Sequence, residues 1–363
     1  MRARGGHNPM AAQSVYFTGP REVDVRETAV PDPGPNELEV TATVSAISSG
    51  TELLLYRGEM DPEIAADETL EALSGSFSYP FPYGYAVVGT VTAVGADVDP
   101  AWRGETVLAF HPHASEFVVG VDEVSIVPAD VSPAAAAFLP NVETAVNLVL
   151  DGGPRIGERA VVFGQGVVGL LTTALLAETP LSSLVTVDCY EERRQLSTAF
   201  GADRSLDPDG PDPIAALHER TTAPDRPGSP SGRSEREQSP RRADLTYELS
   251  GNPAALDAAV DATGYGGRVV VGSWYGTKTA ELSLDGRFHR SRIRLISSQV
   301  STIAPERRGR WTVARRLATA WRRLEGLETD RLVTHRVPIA DAPKAYELLD
   351  ERPDETVQVL LTY

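Results

Sequence analysis

The stretch RAVVFGQGVVGLL at 159–171 limits the fold more than any other part of the chain. Arg159–Phe163 is a short apolar run of buried-strand type, and Gly164-Gln165-Gly166-Val167-Val168-Gly169 then opens an Ala/Leu-rich helix reaching about Ala177. Such a turn uses glycine three times: for a tight turn at Gly164, for close backbone approach to a pyrophosphate at Gly166, and for helix–strand packing at Gly169. A diphosphate would lie on the free N–H groups at the helix start, around Val167 and Val168, where the positive end of the helix dipole favours it. The apolar run LVTV then ends at Asp188, about where an acid that holds adenosine ribose hydroxyls belongs. Strand, turn, helix and acid together point to a dinucleotide site. The alternative is a glycine-rich βα turn in a parallel sheet with no ligand.

The pattern around this stretch alternates. Strands are expected near 159–163, 183–188, 244–249, 267–272 and 292–298, with helices near 166–177, 190–200, 212–219 and 252–263, which makes a parallel sheet with helices on both faces. Residues 221–242 (TTAPDRPGSPSGRSEREQSPRR) interrupt it, and their Pro, Ser, Gly and charge content reads as a disordered insertion. From Gln13 to about Val127 the pattern is instead short alternating strands broken by Pro and Gly, as in a compact β-barrel-like domain. A long polar loop is expected at 55–80 and one Ala-rich helix over Ser132–Leu150. The end mixes classes: helix Arg310–Leu324, strand Val333–Val337, helix Ala340–Glu351 and strand Thr356–Thr362, expected to fold back onto the first domain. At 363 residues, two domains are the default.

Charge narrows the partners. The net charge is −17, and of 34 basic residues only Lys278 and Lys344 are lysines. Such a surface is densely hydrated and self-repelling, suited to high salt where repulsion is screened. The composition resembles that of extremely halophilic archaea, and no basic face stands out for nucleic acid. No run of 18 uncharged apolar residues is present to span a membrane, and no signal-peptide pattern is seen, so a soluble cytoplasmic protein is expected. Met1–Pro9 reads as a disordered extension or a misassigned start. Cys189 is the only cysteine, which excludes intrachain disulfides, a four-cysteine zinc lobe and a CxxC redox centre. It follows Asp188 directly and is expected to pack near the adenosine.

The order of a β-rich part, a nucleotide-binding part and a return segment resembles the medium-chain dehydrogenase/reductase superfamily over nearly the whole chain. Ala46-Ile47-Ser48-Ser49-Gly50-Thr51-Glu52 looks like the family's G-I-C-G-T-D, and Tyr83-Gly84-Tyr85-Ala86 stands in place of P-G-H-E. ADLTYELSGN at 243–252 looks like the strand and Ser-Gly turn beside the nicotinamide, and 335–363 like the C-terminal strand–helix–strand. The resemblance implies an α/β protein: a GroES-like β-rich catalytic domain at 10–150 and 300–363, and a Rossmann doubly wound domain at 151–299. SGTE, GYA and SWYG…FHR…SSQ also resemble the zinc-lacking subgroup near bacteriochlorophyllide-type dehydrogenases, without establishing a tetrapyrrole substrate.

In zinc-dependent members a Cys, a His and a Glu or Cys hold the metal; the corresponding residues here are Ser49, Tyr85 and Asn141. Hydroxyls and an amide are poor ligands for a cation that prefers thiolate, imidazole and carboxylate, so no zinc is expected. The counter-reading rebuilds a site from His111, His113, Glu52 and Glu143, because an H-x-H pair on a strand points both rings to one face. Without metal, a donor must meet the developing alkoxide. The candidate is Tyr85, with Ser49 and Thr51 completing the set; Thr51 matches the family's proton-relay hydroxyl. Alternatively, Tyr85 only fills the space zinc would take. His111 is a candidate proton acceptor or a satisfied core histidine. Glu143 either orients the site or is a helix-surface carboxylate.

Asp188 favours NAD over NADP, since a carboxylate accepts both ribose hydroxyls and repels a 2′-phosphate. Arg193 and Arg194 follow it and would flank the adenosine or accommodate a phosphate. The resemblance places Ser250, Gly251, Gly272, Ser273 and Ser297 beside the nicotinamide, and Gln358 where many relatives carry a basic residue against the diphosphate. Trp274 and Tyr275 are expected to wall the substrate pocket or to pack across a dimer interface. Arg287, Arg290, Arg292 and Arg294, with His289, read as surface ion pairs or an anion site. The expected function is an NAD(P)-dependent oxidoreductase interconverting an alcohol and a carbonyl of a small molecule. An enoyl- or quinone-type reductase and a non-catalytic NAD(H)-binding redox sensor are the alternatives. The resemblance implies a homodimer paired along the edges of the nucleotide-binding sheets.

Overall fold

The computed structural model describes residues 11–63, 76–210 and 242–363. The expected helix at 212–219, insertion residues 221–241, residues 64–75 of the polar loop and Met1–Pro9 lie outside the described residues. The chain divides into two compact units, Met1–Pro140 with Ala320–Tyr363, and Asn141–Thr319. Residues 141–150 and 300–319 fall in the second unit.

The first unit is β-rich. Its seven-stranded sheet is built on strand Glu37–Ala46, which pairs antiparallel with Val87–Val94, with Glu116–Gly120 and with the C-terminal strand Gln358–Thr362. Strand 37–46 alternates inward Leu38, Val40, Ala42 and Val44 with half-buried or exposed polar residues, the period-two signature of a sheet with one face on a core. Gln358–Thr362 is fully apolar at 359–361 and also pairs in parallel with Val333–Pro338; helix Ala342–Glu351 makes the crossover between them. A smaller sheet of Ala11–Gly19, Glu22–Ala29 and Phe81–Pro82 lies beside it. Phe17 stacks on Phe81 and meets Tyr346 edge-on, which joins the small sheet to the C-terminal helix.

Three expectations for this unit change. Residues 55–57, read as the start of a loop, are the last turn of helix Ser49–Arg57, closed by Gly58 in the left-handed conformation. The helix expected over Ser132–Leu150 is two, Pro133–Ala136 and Leu139–Gly152. Pro140 explains the break, because it lacks an N–H and its ring would collide with the carbonyl of Ala136. His111 and His113 stand in the connection between strands Thr106–Ala109 and Glu116–Gly120 rather than on a strand.

The second unit is doubly wound. Six parallel strands run in the order Arg204–Leu206, Ser183–Val187, Arg159–Phe163, Ala243–Glu248, Thr263–Val271, Arg294–Ser297. The strand order reverses between Arg159–Phe163 and Ala243–Glu248, so the crevice outside their carboxyl ends is the place where such sheets bind ligands. Helices Val167–Ala177, Glu191–Ala199 and Pro253–Ala262 follow their strands as the alternation implied. This is the α/β class read from the sequence. Among the described residues no helix is long and apolar enough to cross a membrane.

Candidate functional site

The dinucleotide site is built first by backbone. Gly164 has φ +86°, and a Cβ on it would lie 2.6 Å from the Ser250 backbone, so no L side chain fits the turn. A Cβ on Gly169 would lie 2.0 Å from the Gly164 carbonyl oxygen, which is the close helix–strand packing expected. At Gly166 nothing lies within 4 Å of that position, leaving the helix mouth open. Gly166 caps the helix without a side chain, so the first N–H groups, from Val167 and Val168 on, face whatever enters.

Asp188 stands at the tip of the second strand, its carboxylate accepting from Gln165 N at 2.6 Å and Tyr190 N at 2.9 Å. Two of its four lone-pair directions therefore hold the loop, and the others remain for hydroxyl donors. Arg194 donates to the Asp188 and Cys189 carbonyls at 2.9 and 2.7 Å and pairs with Asp207 at 3.2 Å; Arg193 stacks over Tyr190, 4.7 Å from the ring centre. Cys189 is exposed, its thiol pushed up by burial of the group and the charge of Asp188. These residues fit a nicotinamide dinucleotide: the cradle is open at Gly166, and Asp188 is held by Gln165 N and Tyr190 N at the strand tip where an adenosine ribose would lie.

On the other side of the crevice, one buried carboxylate that the sequence reading passed over ties two loops together. Glu248 accepts from Ser250 N at 2.8 Å, from the Ser250 hydroxyl and from the Tyr275 hydroxyl. Its carbonyl accepts from Gly272 N at 3.0 Å, and Gly251 N donates to Ser273 Oγ at 2.9 Å. Ser250, Gly251, Gly272 and Ser273 thus come together, with Tyr275 anchored among them. Trp274 and Ser297 are exposed. Arg287 pairs with Asp261 at 3.4 Å, while His289, Arg290, Arg292 and Arg294 are exposed.

In the first unit the Tyr85 hydroxyl donates to Ser48 Oγ, not to Ser49. Burial raises its pKa, helped by the charge of Glu52 and opposed by Ser48 and Thr51, so it stays a phenol at neutral pH. Ser49 and Thr51 start helix Ser49–Arg57 and are half-buried. Glu52 and His113, both wholly buried, meet at 3.1 Å, and His113 bonds Ser45 Oγ at 2.7 Å. His111 takes another direction: it stacks on Phe117 with ring centres 4.1 Å apart and puts Nδ1 2.8 Å from the Pro112 carbonyl. Burial pushes its pKa down to about 4, so the ring is neutral. Glu143 belongs to the second unit and gives its carboxylate to Arg316 at 3.0 Å. Gln358 donates to the carbonyls of Ile47 and Val359 at 2.9 and 2.8 Å.

Zinc does not fit this donor set. Ser49 and Tyr85 are neutral hydroxyls, poor ligands for a cation that prefers thiolate, imidazole and carboxylate, and the Tyr85 hydroxyl already donates to Ser48. The rebuilt site of the counter-reading does not assemble either: of its four residues His113 and Glu52 meet, whereas His111 turns to Phe117 and Glu143 to Arg316. Among the described residues no three His, Cys, Asp or Glu side chains are grouped to hold a metal ion.

Comparison with known proteins agrees with this architecture. The family model described as zinc-binding dehydrogenase matches residues 167–318. The chain is 24% identical over 344 residues to D-guloside 3-dehydrogenase of Escherichia coli K12, covering 90% of this chain and 93% of that protein. It is 25% identical over 360 residues to 2-desacetyl-2-hydroxyethyl bacteriochlorophyllide A dehydrogenase of Rhodobacter capsulatus, covering 95% and 96%. Among solved structures, a short chain alcohol dehydrogenase of Escherichia coli CFT073 complexed with NADH superposes with a TM-score of 0.74 at 18% identity, covering 98% of this chain and 100% of that one. With the glycine cradle and the reversed strand order already in place, these matches support an oxidoreductase of the medium-chain dehydrogenase/reductase superfamily, alcohol dehydrogenase-like.

Proposed function

We propose that the protein interconverts an alcohol and a carbonyl by hydride transfer, with NAD as the favoured cofactor and protein hydroxyls in place of catalytic zinc. The observation that carries this reading is the Tyr85–Ser48 hydroxyl pair: the resemblance matches Tyr85 to a metal-binding His, and Ser48 directly precedes Ser49, which it matches to the Cys. The bound nicotinamide supplies or takes the hydride. The protein handles the proton: Tyr85 donates to Ser48 Oγ, which leaves the Ser48 O–H to face a substrate oxygen. In reduction that proton passes to the oxygen as hydride reaches the carbon, the Tyr85 proton replaces it, and solvent reprotonates Tyr85; oxidation runs the same path backwards. His111, uncharged and stacked on Phe117, is assigned no proton transfer. NAD is favoured because the Asp188 carboxylate is held at the adenosine end and the Arg194 guanidinium is engaged with backbone carbonyls and Asp207. The −17 charge supports work in concentrated salt.

The test is metal analysis of protein purified in molar salt, NADH titration, and Tyr85→Phe assayed on a panel of secondary alcohols that begins with glycosides. The expected result is substoichiometric zinc, unchanged NADH binding and a loss of turnover of at least about a hundredfold in Tyr85→Phe. One tightly held zinc per chain whose removal abolishes turnover would overturn the metal-free reading. Full turnover of activated double bonds by Tyr85→Phe would favour an enoyl- or quinone-type reductase, and NADH binding with no turnover across the panel a redox sensor.

A further inference from the structure

We propose that Glu52 and His113 form a buried positioning pair that sets the Tyr85–Ser48 hydroxyls for proton transfer; this rests on the hydroxyl-pair reading above. Ser48 is gripped from two sides, its N–H donating to Glu52 Oε1 at 2.7 Å and its carbonyl accepting from Glu52 N at 2.8 Å. Serine at a helix N-cap ordinarily turns its hydroxyl to a backbone N–H of the first turn. Here Ser48 makes no such bond, and Glu52 reaches back to the cap instead, so the hydroxyl is left to Tyr85.

His113 acts on the tyrosine side. Gly84, next to Tyr85, has φ +128°, and a Cβ on it would lie 2.6 Å from His113 Cδ2 and 2.7 Å from Nε2. The imidazole therefore lies directly against the backbone that carries Tyr85, and its N–H meets Glu52 Oε2 at 3.1 Å. The pair is fixed at both ends: Tyr346 donates to Glu52 Oε2 at 2.5 Å, and His113 Nδ1 bonds Ser45 Oγ, which bonds the Tyr363 hydroxyl at 2.8 Å. One dyad thus touches the supports of both hydroxyls. Buried polar pairs of this kind add little stability over apolar side chains of the same volume but hold one geometry, and proton transfer depends on that geometry.

The experiment compares Glu52→Gln, His113→Asn, Tyr346→Phe, Tyr85→Phe and the double variant Glu52→Gln/Tyr85→Phe in molar salt. Readouts are kcat and KM for the panel alcohol turned over fastest, NADH affinity, and the 19F resonance of 3-fluorotyrosine placed at position 85, which needs no substrate. Glu52→Gln and His113→Asn are expected to lower kcat about ten- to a hundredfold with KM and NADH affinity within about twofold, and to shift or split the fluorine resonance. In the Tyr85→Phe background, Glu52→Gln is expected to add nothing, because it acts through Tyr85. Should the buried variants fail to fold, Tyr346→Phe, which removes one bond to Glu52, decides by the same kcat loss and resonance shift. An unchanged resonance, an unchanged kcat, or losses that add in the double variant overturn the pair's role. Undiminished alcohol turnover in Tyr85→Phe alone would instead overturn the hydroxyl-pair reading on which it rests.

Discussion

Asp188 carries two duties on one carboxylate. It closes the glycine turn by accepting from Gln165 N and Tyr190 N, and in the proposed function it would meet the ribose 2′ position of the cofactor with negative charge. Its neutral isostere keeps one oxygen acceptor for the backbone but loses the charge. Asp188→Asn is therefore expected to weaken NADH binding and strengthen NADPH binding, moving the ratio of their dissociation constants by about tenfold or more, since hydrogen bonds to a charged group contribute about 1.5–3 kcal/mol. Fluorescence titration of the two cofactors checks this without any substrate, and an unmoved ratio would remove Asp188 as the selector. At the same scale, burial keeps the Tyr85 phenol protonated and so able to donate, as the proposed proton transfer requires.

Helices Leu139–Gly152 and Val313–Leu324 are locked by a single side chain. Arg316 is 1% exposed, and its guanidinium bonds Glu143 at 3.0 Å, Asn147 at 2.8 Å, the Thr302 carbonyl at 3.1 Å and the Val300 carbonyl. Burial pushes the Glu143 carboxyl up, and Arg316 opposes the rise, so the Glu143 charge depends on Arg316. Arg316→Met would leave the carboxylate buried without its partner, a loss of about 3–5 kcal/mol. Denaturant unfolding in molar salt is expected to show that loss, and Glu143→Gln added to Arg316→Met to recover part of it. Glu143 reads in the sequence as an orienting group or a surface carboxylate; the structure gives it this interior partner.

For the whole molecule, electrostatics sets the working conditions. A net charge of −17 repels itself unless counter-ions screen it, and the Debye length shrinks from about 10 Å at 0.1 M to about 3 Å at 1 M salt. The unfolding midpoint is accordingly expected to rise with sodium chloride through the molar range, with loss of NADH binding on dialysis to low salt. Calorimetry across a salt series measures it, and a midpoint that falls or stays flat would count against adaptation to concentrated salt.

Local features are readable in the residues alone. Gly164, Gly166 and Gly169 lie within one turn, so the demands on their backbones are written in the spacing, and the strand–helix alternation from 159 onward follows from runs of five to eleven residues. Pro140 is the exception: the Ala-rich pattern reads as one helix over Ser132–Leu150, and the break at Pro140 appears only in the structure. Which distant groups meet follows from the folded packing. Tyr85 finds Ser48 rather than Ser49, a choice of one residue made by how the end of strand Glu37–Ala46 turns into its helix. His113 reaches Glu52 across 61 residues and Arg316 reaches Glu143 across 173, pairings that no local pattern encodes. Each of these buried polar groups must find a partner, but the partner is fixed by the packing of whole sheets and helices, and packing is a property of the folded chain rather than of any segment.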